Sequence, residues 1–195
     1  MAEKTQQLLL VLLLSLLPAA ISASSNATDF IRASCVATLY PDLCYSSLYR
    51  YANAVRQSPA QLARVAVSLS LSQARRMASY LSNLSSQPNC RAEPRAAAAL
   101  HDCFATFGEA VDQMRRSLKE MRHLDAAESF IFQMSNVQTW MSAALTNEET
   151  CTDEFEDVLD GPMRTDVSDR AANVKKFTSN ALALVNSFVT SGTPP

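Results

Sequence analysis

Five cysteines (35, 44, 90, 103 and 151), two histidines and a scatter of carboxylates near two of those cysteines are the residues of this chain whose types could do chemistry. A zinc site needs Cys-x-x-Cys or closely spaced histidines. Neither occurs, and no ligand spacing relates His101 to His123, so no metal is expected. His101-Asp102-Cys103 sets an imidazole two positions from a thiol. On a helix such positions do not face each other, so nothing there can activate the sulfur. No glycine-rich phosphate loop exists, which removes sequence support for a nucleotide cofactor. Without an activated nucleophile or an acid–base pair, the chain reads as a binder and not an enzyme, with no cofactor. One polar group remains to be explained. Glu109 and Asp112 lie three apart on the segment that carries Cys103, and Thr150, Asp153 and Glu154 flank Cys151. A bond between the two cysteines would draw these groups into one neighbourhood; without it they form a solvated acidic face.

The cysteines imply an oxidising compartment, and the N-terminus agrees. Lys4 opens a short polar start, Leu8 to Leu17 is apolar except for Ser15, and Pro18 precedes Ala19, Ala20, Ser22 and Ala23. That is the layout of a secretory signal peptide, expected to span 1–23 with cleavage near Ser22 or Ala23. The apolar run is too short to span a bilayer, no second such run follows, and no membrane partner is expected. The remaining segment, 24–195, is long enough for one domain with its own core. The sequons Asn26-Ala27-Thr28 and Asn83-Leu84-Ser85 are candidate glycosylation sites. Whole-chain charge is −2, and removing Glu3 and Lys4 with the signal leaves it there, which gives no hint of a nucleic-acid partner.

Sequence alone does not fix how five cysteines pair. Cys35 and Cys44 are separated by the turn signal Tyr40-Pro41, which can fold two short helices together. Cys103 and Cys151 both lie in apolar-periodic surroundings where a crosslink between helices makes sense. Cys90, in the polar run Ser85 to Arg91, is the candidate free thiol or a link to another chain. In the chain-entropy view the short loop contributes about 2.5 kcal/mol and the long one about 4 kcal/mol.

The elements that must hold these groups are helical. Three glycines cannot supply the turns of an all-β domain. Pro41, Pro59, Pro94 and Pro162 each stand where a helix could begin. Short helices are predicted over 29–39 and 41–56, and a long one opens at Ser58-Pro59 and runs to Leu84. Leu100, Phe104, Phe107, Val111, Met114, Leu118 and Met121 mark the buried stripe of a second long helix. Leu124, Ala127, Ile131, Met134, Val137, Met141 and Ala144 mark a third. After Asn147 a separate short run holds Cys151, Phe155 and Leu159. Val167, Ala171, Val174, Phe177, Ala181, Leu184 and Phe188 mark a final helix that starts at Thr165 or Asp166. These elements make an all-α, up-down-up-down four-helix bundle over about 58–190, preceded by a helical hairpin over about 27–57 that Cys35–Cys44 would pin.

Three motifs are similar to those of the plant invertase and pectin methylesterase inhibitor family. Ile31-x-x-x-Cys35-x-x-Thr38-x-Tyr40-Pro41-x-x-Cys44 resembles its opening hairpin. Leu100-x-Asp102-Cys103 with Phe107 and Ala110-Val111-Asp112 resembles its third-cysteine motif. The run from Thr139-Trp140 through Leu145-Thr146-Asn147 to Thr150-Cys151 and Phe155 resembles its fourth. The resemblance implies the four-helix bundle, the hairpin, and disulfides Cys35–Cys44 and Cys103–Cys151. It implies a secreted cell-wall inhibitor that forms a one-to-one, non-covalent complex with pectin methylesterase over the substrate cleft. Glu109, Asp112, Thr150 and Asp153 are the positions expected to meet the enzyme, and carboxylates meeting carboxylates predict tighter binding at acidic pH. Inhibition of cell-wall or vacuolar invertase is the alternative target. The Pro-Lys-Phe element common in invertase inhibitors is absent from Asn136 to Met141, which favours the esterase. A secreted helical wall protein with no enzyme target is a further alternative. One departure is Phe107, where the family more often has tyrosine; the change removes a hydroxyl that would matter if the position faced the enzyme.

Overall fold

A computed structural model describes residues 26–88, 93–124 and 128–191. The proposed signal segment 1–23 and Cys90 lie outside the described residues.

The chain opens with α1 (26–35), a turn, then α2 (Pro41–Leu48), one 3-10 turn over Tyr49–Tyr51, and α3 (Ala52–Val55). The first helix was expected to reach residue 39 and stops at 35. Both the amide (3.0 Å) and the hydroxyl (2.8 Å) of Thr38 donate to the Cys35 carbonyl, which closes the helix one turn early. Cys35 and Cys44 are joined, with Cα atoms 5.6 Å apart. The Arg32 guanidinium lies 3.9 Å from the centre of the Tyr45 ring, a cation–π contact between α1 and α2. Arg56 and Gln57 both take left-handed backbone angles (φ 48° and 60°), so the hairpin turns into the bundle without a glycine.

Four long helices follow: α4 (Pro59–Ser85), α5 (Pro94–Glu120), α6 (Glu128–Asp153) and α7 (Pro162–Thr190). Their starts follow local chemistry. Ser58 caps α4, its hydroxyl accepting from the Gln61 amide at 3.3 Å, and Pro59 fills the first position where its missing N–H costs nothing. Glu93 does the same for α5 through Arg95 and Ala96. The last helix begins at Pro162, a turn before the predicted Thr165, with the proline in the first turn and no side-chain cap from Gly161. No separate element follows Asn147: α6 runs unbroken through Cys151, because the Asn147 amide donates to Gln113 on α5 (3.1 Å) and does not compete for the backbone.

Each long helix packs on two others: α4 on α5 and α7, and α6 on α5 and α7. This is the four-cornered bundle that the periodicity predicts, with α4 and α6 at opposite corners. Leu62, Leu81, Leu100, Phe107, Met114, Met134, Met141 and Phe188 are all fully buried in its core. Each such side chain contributes about 1.5–3 kcal/mol. Three stripe positions differ from expectation. Phe104, Ile131 and Leu159 are exposed, while their neighbours Cys103, Phe130 and Val158 are buried. At 104 and 131 one residue is a 100° turn of the helix, so each replacement swings the apolar neighbour outward, whereas Leu159 lies beyond the end of α6 at Asp153. Cys103 is drawn in by its disulfide. Phe130 meets Phe188 edge-on with ring centres 5.4 Å apart.

Ile31, Leu48 and Val55 of the hairpin share the bundle's core, and one side chain fastens the hairpin turn. Asn180 on α7 accepts from the Tyr40 amide (3.1 Å) and donates to the Tyr40 carbonyl (2.9 Å), satisfying both backbone groups of the hairpin turn. Replacing Asn180 by alanine leaves the Tyr40 amide unpaired, while the Tyr40 carbonyl keeps the Cys44 amide as donor at 2.9 Å, and should cost about 1–3 kcal/mol. Urea unfolding should show the loss, and amide exchange should quicken first in residues 36–48. Unchanged exchange there would assign the docking to the apolar contacts alone.

Candidate functional site

Cys103 on α5 and Cys151 on α6 are bonded, with Cα atoms 4.1 Å apart and both residues buried. The bonded sulfur excludes Cys103 as a nucleophile. His101 sits in solvent, 3.1 Å from Asp102. Among the described residues no group of three or more histidines, cysteines or carboxylates is placed to hold a metal ion, and no helix is long and apolar enough to cross a membrane.

The disulfide fixes the axial level of α5 against α6, and the polar groups spread from it in both directions. Thr150 and Asp153 lie within one turn of Cys151. Glu109 and Asp112 lie farther off, about 9 and 13 Å along α5 from Cys103. The four therefore spread in a loose strip over the outer surface of α5 and α6 and not in a single cluster, with Asp112, nine residues from Cys103, on the side of α5 turned away from the disulfide. Glu109, Asp112 and Asp153 are exposed and Thr150 is half-buried. Two are partly occupied: Asp112 pairs with Arg115 of its own helix at 2.5 Å, and the Thr150 hydroxyl donates to the Thr146 carbonyl at 3.0 Å. Phe107 is fully buried, so a hydroxyl at that position would point into the bundle and not at a partner.

The end of α6 is electrostatically costly. Asp153 closes the helix, Glu154, Glu156 and Asp157 follow, and no basic residue stands in the last turn. Carboxylates at a helix C-terminus oppose its dipole, by about 0.3–1 kcal/mol each. Asp157 is relieved by an ion pair with Arg95 at the start of α5. Asp153 and Glu154 stay exposed, and such local conflict is the kind that binding surfaces retain.

Besides Asn180, sequence reasoning missed two polar groups, both between distant segments. Glu148 on α6 is completely buried. One carboxyl oxygen accepts from the Thr178 hydroxyl of α7 at 2.9 Å, and the other has no partner. Burial pushes its pKa up to about 8 against the lowering effects of Thr178 and of Lys175. The Tyr80 hydroxyl of α4 donates to Asp166 of α7, and burial with that carboxylate pushes the phenol up to about 12. Arg170 closes this group, bonding Asp166 at 2.9 Å and lying 4.4 Å above the Tyr80 ring; its guanidinium and the phenol hold Asp166 below the usual carboxylate range. The candidate glycosylation residues Asn26 and Asn83 are both exposed.

Known proteins place this architecture. The chain is 40% identical over 179 residues to the "21 kDa protein" of Daucus carota, an alignment covering 90% of this chain and 91% of that one. It is also 40% identical over 175 residues to Pectinesterase inhibitor 11 of Arabidopsis thaliana, covering 88% and 86%. Among solved structures, a mutant form of a pectin methylesterase inhibitor from Arabidopsis superposes with a TM-score of 0.61 at 18% identity, over 78% of this chain and 92% of that one, which establishes the shared fold. With the profile of plant invertase/pectin methylesterase inhibitors matching residues 29–184, the bundle, the hairpin and both cysteine motifs fall inside one family, and the chain belongs to it.

Proposed function

We propose that this protein inhibits a pectin methylesterase by non-covalent, one-to-one binding over the enzyme's substrate cleft in the cell wall. The observation that carries this reading is its likeness along most of its length to proteins named as pectinesterase inhibitors, at 40% and 38% identity. The chemistry of the surface supports it. The α5–α6 strip offers Glu109, Asp112, Thr150 and Asp153 on a disulfide-locked frame, so little conformational freedom is lost on docking. Carboxylates brought against an enzyme's own carboxylates bind best when one of each pair is protonated, which favours an acidic medium.

The test is a titration of the purified protein against a plant pectin methylesterase at pH 5, with a cell-wall invertase alongside. Stoichiometric loss of esterase activity alone is expected. Loss of invertase activity alone would transfer the reading to that enzyme. Glu109→Lys/Asp153→Lys should weaken esterase inhibition at least tenfold with a melting temperature no lower than wild type, since both side chains are exposed, no ion pair among the described residues holds either, and a lysine suits the end of α6. Full inhibition by that variant would move the contact surface elsewhere on the bundle.

A further inference from the structure

The outer face of α4 carries a groove that the inhibitor strip does not use. Two adjoining depressions of about 530 and about 600 Å³ run along it and share Ser68, Ser72 and Arg76. A smaller one of about 170 Å³ continues from Arg76 past Tyr80 to Arg170. From Ser68 to Asn83 this face is about 22 Å long. No aspartate or glutamate lines any of the three depressions. Arg50, Arg75 and Arg76 project into the groove, and none has a carboxylate partner among the described residues, whereas Arg95, Arg115, Arg164 and Arg170 each do.

Three serines of the groove keep their hydroxyls off the backbone, as several others on these helices do, while Ser47 at one end donates to the Cys44 carbonyl at 3.0 Å. On its helices Ser117, Thr139, Thr146 and Thr190 each donate to the carbonyl four residues back. Ser68, Ser72 and Ser79 make no such bond, and their hydroxyls are left to solvent or to a ligand. Tyr51, about a third exposed, and Phe177 give one end of the groove flat aromatic walls.

We propose that this groove binds an acidic oligosaccharide, a run of sugar rings bearing carboxylates. Guanidinium groups match carboxylates in paired hydrogen bonds. The serine hydroxyls and Gln73 match ring hydroxyls, and the aromatic walls suit the apolar face of a pyranose. The identity of the sugar as a uronate rests on the proposed esterase target, because hydrolysis of pectin's methyl esters is the class of reaction that exposes such carboxylates. Since α4 and α6 stand at opposite corners, the groove stays open when the α5–α6 strip is occupied. The inhibitor would then be held on the de-esterified stretch that its target enzyme has just produced.

The experiment is calorimetry on the mature chain, made without glycosylation so that Asn83 at the far end carries no sugar, with a ten-unit oligogalacturonate at pH 5 and low salt. No esterase is present, so failure here leaves the inhibition reading to its own titration, and failure there leaves this one intact. Saturable binding is expected, weakened at least tenfold in Arg50→Gln/Arg76→Gln with an unchanged melting temperature, and at least tenfold weaker for the fully methyl-esterified oligomer. Absence of binding, equal affinity of the variant, or equal affinity for the methyl ester would overturn the proposal. So would equally tight binding of a polyglutamate of matched charge, which would make the groove a surface for acidic peptides.

Discussion

Replacing both Cys103 and Cys151 by alanine should lower the unfolding free energy by about 4 kcal/mol, because the bridge closes a loop of 48 residues in the unfolded chain. Domains of this size are stable by only about 5–15 kcal/mol, so the variant loses a large share of its stability and keeps about 1–11 kcal/mol. The loss has a native-state part as well. Both sulfurs are buried in the core, and alanine leaves their volume unfilled between α5 and α6. Urea unfolding of wild type and variant, each checked for free thiols, measures the difference. A loss below about 1 kcal/mol would mean that the α5–α6 packing holds those helices in register unaided. The companion change at Cys35 and Cys44 should cost less, about 2.5 kcal/mol, because that loop spans only nine residues. Asn180 would still hold the hairpin turn in that variant. Inhibition should follow the same order, since the long bridge sets Thr150 and Asp153 against α5 while the short one lies outside the strip.

Which helices form is a local matter and was legible in the sequence; which face of a helix turns inward is not always local. Ser58-Pro59 and Pro94 announce two starts because cap and proline chemistry act within one turn. The errors of phase at Phe104 and Ile131 share a cause. Each stands beside another apolar residue, so a 3.6-residue template fits either neighbour. The choice was made by a disulfide for Cys103 and by the Phe188 ring for Phe130, both contributed by another helix. The polar groups were hidden for the same reason: Glu148 meets a residue 30 positions away and Tyr80 one 86 positions away. Asn180 reaches 140 positions back to the hairpin. One signal was available. Met141, Ala144, Cys151 and Phe155 are buried at helical spacing, and position 148 completes that series, so a glutamate there was due to be buried. The polar run Asn147 to Thr150 looked like a helix end and masked it. The strip itself was only half legible, since its members were named by distance from two cysteines. The antiparallel run of α5 and α6 from that bridge then separates Glu109 and Asp112 from Asp153 along the bundle.

Buried Glu148 should make the bundle less stable as the pH rises, and Glu148→Gln should remove that dependence. Its carboxyl is raised to about 8 by desolvation first, with the Thr178 hydrogen bond and Lys175 opposing. Below about pH 4.5 both folded and unfolded chains hold the proton, and the contribution to stability is fully present. As the pH climbs towards 8 the unfolded chain releases the proton and the native one keeps it, so stability falls by about 1.4 kcal/mol for each unit. Above 8 both states are ionised and the loss is complete. From pH 5 to pH 7 the drop is therefore about 3 kcal/mol. Lys175, which faces this site, is paired with Glu149 at 2.9 Å. Glutamine keeps the shape without the charge. Its amide sets two N–H groups where the protonated carboxyl has one O–H, and the additional unpaired donor costs about 1–3 kcal/mol. The two stability curves should consequently cross: wild type the more stable at pH 5, Glu148→Gln the more stable above neutrality. Parallel curves in urea unfolding at pH 5, 6, 7 and 8 would show that Glu148 is ionised, or solvated, at neutral pH. The same variant separates two origins of acid-favoured inhibition. If proton sharing at the α5–α6 strip sets the preference, Glu148→Gln retains it; if a loosened bundle sets it, the variant inhibits as well at pH 7 as at pH 5.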